Sequence, residues 1–473
     1  MKRNLFLLLM TLTGIIMLNS CKKEYSCENC KGTNQPPVSK AGKDEVIALP
    51  TDSVTLNGSD SKDPDGTITS FLWTKISGPA SFTVTYPDSN ISKIKNLIQG
   101  AYSFELKVTD NNGLIAKDTV QVFVYPSGYS CDSTRPVVNA QLVPIGTLSA
   151  ARQDLYTATA GNKILFAGGL GGQSGYDIST RVDIFDFVTN TWSTAELSQG
   201  RHGMTVATVG SKILFAGGVY QWDEEKYTRV DIYDAMANTW STAELSEGRG
   251  YLASATLGDK VFFAGGYYWY NGHHYVDRVD IYNNTTNTWS TASLSEGREG
   301  LSATTAGNKI YFAGGSNATG LSQIIDIYDG TNGSWSTSTL NEGKQYFGSI
   351  SVANKIYWAG GFNSLQPHQI PSSQVEIKDI NTQVSTLCFL SQEKAAFGTV
   401  VKGNEIVFFM GAPSAQPQNF DIYNTATEKW SVGILNQGLN YPGIISVNNK
   451  IYVAGGDRSA GGGITNQVWL LQW

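Results

Sequence analysis

A short apolar run that stops at a pair of glycines recurs along the last two-thirds of the chain. Lys212-Ile213-Leu214-Phe215-Ala216-Gly217-Gly218 shows it in full, followed by Val230-Asp231-Ile232-Tyr233 and by Trp240-Ser241-Thr242-Ala243. These predict a second, third and fourth strand, and Gly203-Met204-Thr205-Val206-Ala207-Thr208-Val209 predicts the first. The first glycine position falls at 168, 217, 265, 314, 360, 410 (where Met410 stands instead) and 455, giving spacings of 49, 48, 49, 46, 50 and 45 residues. A period of that length belongs to a propeller or another repeat fold, and four strands per period make one propeller blade. The last repeat has room for only one strand, 466–473, after its glycines. The alternating segment 137–148 is expected to complete it, leaving no unpaired edge at the seam.

Ahead of the repeats, Ser53-Val54-Thr55-Leu56, Ser70-Phe71-Leu72-Trp73, Tyr102–Val108 and Thr119–Val124 are short alternating strands. Turn clusters such as Asp63-Pro64-Asp65-Gly66 and Asp110-Asn111-Asn112-Gly113 separate them, the pattern of a small β-sandwich. Trp73 is expected in its core, with its indole nitrogen hydrogen-bonded. Asp60, Asp63 and Asp65 fit turn chemistry better than a calcium site. The order Leu56-Asn57-Gly58-Ser59, Asp63-Pro64-Asp65-Gly66, Phe71-Leu72-Trp73, Gly100-Ala101-Tyr102 and Val108-Thr109-Asp110 resembles PKD-type immunoglobulin-like domains.

The first twenty residues read as an export signal, with Lys2 and Arg3 before an apolar stretch from Leu5 to Leu18. Leu18-Asn19-Ser20-Cys21 resembles the lipobox of bacterial lipoproteins, which implies acylation at Cys21 and attachment to a membrane through lipid alone. In an exported chain Cys27 and Cys30 favour a local disulfide over a redox or zinc site, and a bridge from Cys131 to either stays open. The expected organisation is a signal peptide at 1–20, a tether at 21–35, a PKD/Ig-like domain at 36–126, a linker at 127–135 and the repeats at 136–473.

Composition narrows the partners. The net charge of -6 and the absence of a basic cluster interleaved with aromatics exclude a nucleic-acid footprint. No metal or cofactor is expected, and no Gly-x-Ser-x-Gly, His-Glu-x-x-His or phosphate loop occurs in a credible context.

The recurring Arg, Gly-Gly, Tyr and Trp resemble kelch repeats across about 340 residues, with Lys378 and Val384 departing from the aromatic pair in repeat five. The resemblance implies an all-β chain: an N-terminal Ig-like (PKD-type) β-sandwich plus a seven-bladed kelch β-propeller closed by an N-terminal strand. It also puts the loop entering strand one and the loop joining strands two and three on one face. The entering loops carry Arg152, Arg201, Arg249, Arg298 and Lys344, which divide between an architectural role and a grip on a ligand carboxylate. The irregular two-to-three loops gather Tyr220, Trp222, Tyr268, Trp269, Tyr270, His273 and His274 in repeats two and three. Aromatic faces beside polar groups suit a glycan or a peptide.

The main expectation is therefore a monomeric envelope lipoprotein, at the outer membrane, whose propeller binds a glycan or a surface protein, with the PKD-like domain as spacer and no catalytic residue. A carbohydrate-active enzyme of sialic acid mutarotase type is the alternative. It requires a buried acid/base pair near the mouth, for which Glu299 beside Arg298 is the one candidate in an entering loop. A structural assembly scaffold is the third reading. A copper radical oxidase is disfavoured, since Cys388 falls in an outer strand and His273 and His274 are adjacent.

Overall fold

The computed structural model describes residues 34–43, 45–98, 100–125, 135–172, 177–219, 227–365, 369–409, 411, 419–435, 437–458 and 463–473. The signal segment, the lipobox, Cys27, Cys30, Cys131, Met410, Tyr220 and Trp222 lie outside them. Among the described residues no helix is long and apolar enough to cross a membrane.

The N-terminal unit pairs Glu45–Ala48, Ile115–Tyr125, Gly100–Asp110 and Ile68–Ser77 in one sheet, and Val54–Asn57, Ile91–Lys95 and Thr83–Thr85 in a second. Strict alternation along Gly100–Asp110 sends Tyr102, Phe104, Leu106 and Val108 into the core, all fully buried with Trp73, Leu56 and Ile94. The Trp73 indole donates to the Ser89 carbonyl at 3.0 Å. The Asp65 carboxylate accepts from the Gln35 amide and Asp63 from the Asp65 amide, as bends in an acidic turn do.

Each repeat is an antiparallel sheet whose strands follow chain order; in the first they are Tyr156–Ala160, Lys163–Ala167, Arg181–Asp186 and Thr191–Glu196. The register sets Phe185 against Trp192, Tyr233 against Trp240, Tyr282 against Trp289, Tyr328 against Trp335 and Tyr423 against Trp430. In repeat five Lys378 faces Ser385, and Val384 is exposed one position earlier. Residues ahead of the first repeat complete the last sheet: Gln141–Thr147 pairs antiparallel with Gln467–Gln472. Val137–Asn139 lies parallel to Lys429–Ile434 as a fifth strand on the sixth sheet, a pairing the repeat pattern did not suggest.

Hydrogen-bonded ladders stop at the outer strand of each of these sheets, and no sheet closes on itself. The expected kelch β-propeller, seven-bladed and closed by an N-terminal strand, is accordingly corrected to an all-β chain of small antiparallel sheets. What joins neighbouring sheets is side-chain chemistry. First strands of successive repeats lie side by side, and Tyr156–Ala160 also lies against Gly443–Val447. Hydroxyls bridge them: Thr208 donates to the Thr159 carbonyl at 3.1 Å, Thr256 to Thr208 at 2.9 Å, Thr305 to Thr256 at 2.8 Å and Ser351 to Thr305 at 2.6 Å. Thr157 donates likewise to Ile444 at 2.8 Å. Carbonyls on these edges have no further strand to bond, so a hydroxyl from the next repeat satisfies them.

Candidate active site

The recurring arginines are structural. Arg152, Arg201, Arg249 and Arg298 are at most 1% exposed. Each meets the aspartate of its own third strand: Arg152 with Asp183, Arg201 with Asp231 at 2.7 Å, Arg249 with Asp280 at 2.9 Å and Arg298 with Asp326 at 2.6 Å. The same carboxylates accept backbone amides from Ser149, Ser198, Ser246 and Ser295. Arg201 and Arg249 also donate to the carbonyls of Gly217 and Gly265. Lys344 is buried and donates to Gln374, while Lys394 pairs with Asp421 at 2.9 Å. These cations tie the entering loop to the third strand and leave no exposed guanidinium for a ligand carboxylate.

Two residues beyond each of these positions the backbone turns left-handed, at Asp154, Gly203, Tyr251, Gly300, Tyr346, Ala396 and Tyr441, with φ between 50° and 64°. Main-chain bonds run from one loop to the next: Asp154 N to Tyr441 O at 2.9 Å, Tyr251 to Gly203 at 2.7 Å, Gly300 to Tyr251 at 3.1 Å, Tyr346 to Gly300 at 2.9 Å and Ala396 to Tyr346 at 2.8 Å. Each intervening residue is then held by its own repeat. Glu299, for example, exchanges both backbone bonds with Ser316, just past the Gly314-Gly315 doublet. Behind it, Ser316 donates from its hydroxyl to Gln345 in a buried contact of 2.8 Å.

This frame sets Glu299 among rings. Its Oε1 lies 3.2 Å from His273 Nε2, with side-chain exposures of 11% and 31%. His273 comes from the hairpin Tyr267–Trp269/His273–Tyr275 and is stacked between Tyr267 at 4.2 Å and Tyr275 at 4.4 Å. Tyr251 stacks on Tyr267 at 5.4 Å, meets Tyr346 edge-on, and shares a 3.2 Å contact between its hydroxyl and His202 Nδ1. Burial pushes the Glu299 carboxyl up to about 7, whereas burial and the neighbouring His274 hold His273 below its usual value. Both shifts favour the uncharged forms. Near neutrality the contact is thus a hydrogen bond holding one proton, rather than an ion pair.

Of the other aromatic candidates, Tyr268 and His274 stack on each other at 4.9 Å on the opposite face of the hairpin, and His274 Nε2 contacts the Tyr270 carbonyl at 2.7 Å. Trp269 and Tyr270 are exposed, Trp269 with its edge to His273. The structure therefore brings His273 and Glu299 together and keeps His274 and Tyr268 apart from them. The expected ligand face of a propeller, built from an arginine ring and the loops of repeats two and three, is corrected: the arginines are consumed within the sheets, and no sheet closes to form such a mouth. Sequence reasoning missed Asp154, Tyr251 and Tyr346. Their signal was available, since aligning the repeats on the arginine puts them all in one non-repeating column. Cys388 is disulfide-bonded, and the other cysteines lie outside the described residues.

Residues 41–124 match the PKD-domain family described for the KIAA0319-like proteins. They form a PKD-like domain. Over 98 residues the chain is 45% identical to low-density lipoprotein receptor-related protein 11 of Mus musculus, 20% of either protein. It is 35% identical over 127 residues to dyslexia-associated protein KIAA0319 of Homo sapiens, 26% of this chain and 12% of that one. The match thus spans a fifth or less of those relatives' length. A solved structure of YjhT aligns over 69% of this chain and 96% of its own at 15% identity, with a TM-score of 0.43, too loose to bear on fold or function.

Proposed function

We propose that the repeats carry a carbohydrate-active acid/base site centred on Glu299 and His273, which interconverts the anomers of a small neutral sugar. The observation that supports this reading is the pair itself: a buried carboxyl raised to about 7, in contact with an imidazole held neutral. Such a pair offers one donor and one acceptor at the same pH, which general acid–base catalysis needs. His273 takes the proton of the anomeric hydroxyl while Glu299 gives its proton to the ring oxygen. The bond from the anomeric carbon to the ring oxygen breaks with its electron pair on that oxygen, and a carbonyl forms. Proton return across the 3.2 Å contact resets the pair, and reclosure on the other carbonyl face gives the other anomer. No electron acceptor or cofactor enters this balance.

Tyr251, Tyr267, Tyr275 and Tyr346 surround Glu299 closely enough for its charge to act on them. They offer flat faces and hydroxyls to a sugar, and no lysine or arginine accompanies them for an acidic one. The test is anomer exchange of neutral hexoses and N-acetylhexosamines followed by NMR saturation transfer. The full chain is expected to accelerate exchange, and Glu299→Gln and His273→Gln to lose about a hundredfold or more. No acceleration over buffer, or unchanged rates in both variants, would remove the reading.

A further inference from the structure

A second feature of the inner loops stands apart from the Glu299 pair. A cavity of about 260 Å³ opens between the first, sixth and seventh repeats, lined by Asp154, Tyr156, Phe397, Tyr441, Pro442, Ile444 and their chain neighbours. At ~30 Å³ per water it has the volume of roughly nine waters, room for a small organic molecule.

Its only charged lining residue is Asp154. The Asp154 amide is held by the Tyr441 carbonyl at 2.9 Å, but its carboxylate has no hydrogen-bond or ion-pair partner among the described residues. The side chain is open to water in the cavity, yet protein crowds it and pushes its pKa up to about 6, as expected of a carboxylate with no compensating cation. Around it the wall is aromatic and aliphatic. Tyr156 is pinned by accepting the Met204 amide at its hydroxyl, at 3.2 Å, which fixes its ring in the wall.

A lone carboxylate set among rings selects for one class of ligand. A metal ion asks for several oxygen or nitrogen donors, and no such group of three occurs among the described residues. An anion would be repelled. A small organic ammonium satisfies both elements at once, its charge against the carboxylate and its methyl or methylene groups against the ring faces. We infer that this cavity is a binding site for a small organic ammonium ion, with Asp154 as its counter-charge.

The probes are choline and its neutral isostere 3,3-dimethylbutan-1-ol, titrated calorimetrically into the full chain at pH 8. Saturable choline binding is expected, with the isostere weaker by about tenfold or more, the difference one desolvated charge contact makes. Asp154→Asn is expected to lose the same factor. Asn tolerates the left-handed backbone at this position, φ 53°, so the variant keeps the loop. Absence of saturable choline binding, equal affinity for the isostere, or full choline affinity in Asp154→Asn would each overturn the site. The isostere comparison uses the unaltered chain and so stands whatever the variant does to folding.

Discussion

Replacing Glu299 by Gln isolates the energy stored in that carboxyl. In the folded chain it ionises near 7 rather than near 4.5, so the fold holds its proton more tightly than the unfolded chain does. The sign follows: its contribution to stability is fully present below about 4.5 and is lost as pH rises through about 7. The side chain is only 11% exposed, so solvent screens little of the effect. Ionising it in place costs about 3 kcal/mol more than in the unfolded chain. Gln removes that cost and forfeits at most a hydrogen bond to His273, about 1 kcal/mol at any pH. Urea unfolding followed by tryptophan fluorescence suits the measurement, because ten of the eleven tryptophans lie beyond residue 135. The difference between Glu299→Gln and the unaltered chain should swing by about 3 kcal/mol in favour of the variant between pH 4 and pH 9. Asp154, also raised, is common to both chains and cancels. A difference that stays flat across that range would refute both the raised carboxyl and the shared-proton contact built on it.

Two further perturbations probe the frame. Asp231→Asn strands the buried Arg201 and weakens the acceptor for the Ser198 amide, so a loss of about 3–5 kcal/mol is expected; urea midpoints at neutral pH check it, and a loss under about 1 kcal/mol would show that the cation is not dependent on its partner. Deleting residues 136–148 removes the strand that covers Gln467–Gln472 and uncovers Trp469 and Leu471, so the chain should self-associate or unfold on light-scattering chromatography; a monomer that melts unchanged would contradict that role.

Much of the local structure was written in the sequence, because period and alternation act within a few residues. The facing of Tyr233 and Trp240, the buried row from Tyr102 to Val108 and the borrowed strand at 141–147 all follow from such short-range patterns. How the edges of neighbouring sheets meet does not, since it rests on single hydroxyls such as Thr208 and Thr256 reaching a carbonyl some fifty residues away. The arginines misled for a related reason. Their partner is the aspartate inside the repeated third strand, 30 residues on for Arg201 and 28 for Arg298, and a residue repeated as faithfully as its partner reads as a surface feature until both are seen together. Glu299 was noticed only as a neighbour of Arg298. Its chemistry depends on burial under Tyr251, Tyr267 and Tyr346, which no local pattern encodes.

The left-handed residues of the seven entering loops behave as interchangeable sockets. Where loop-to-loop contact is made there, it runs through amide and carbonyl, so the linkage is indifferent to the side chain that Asp154, Gly203, Tyr251, Gly300, Tyr346, Ala396 or Tyr441 presents. The cost of a non-glycine there, about 1–2 kcal/mol, falls on each socket separately and excludes chiefly branched side chains. A carboxylate, a phenol or no side chain at all can occupy a socket without disturbing its neighbours. Chemistry can therefore be exchanged one loop at a time, and a designer wishing to move the acid, widen the cavity or add a base has seven fixed points at which to do it.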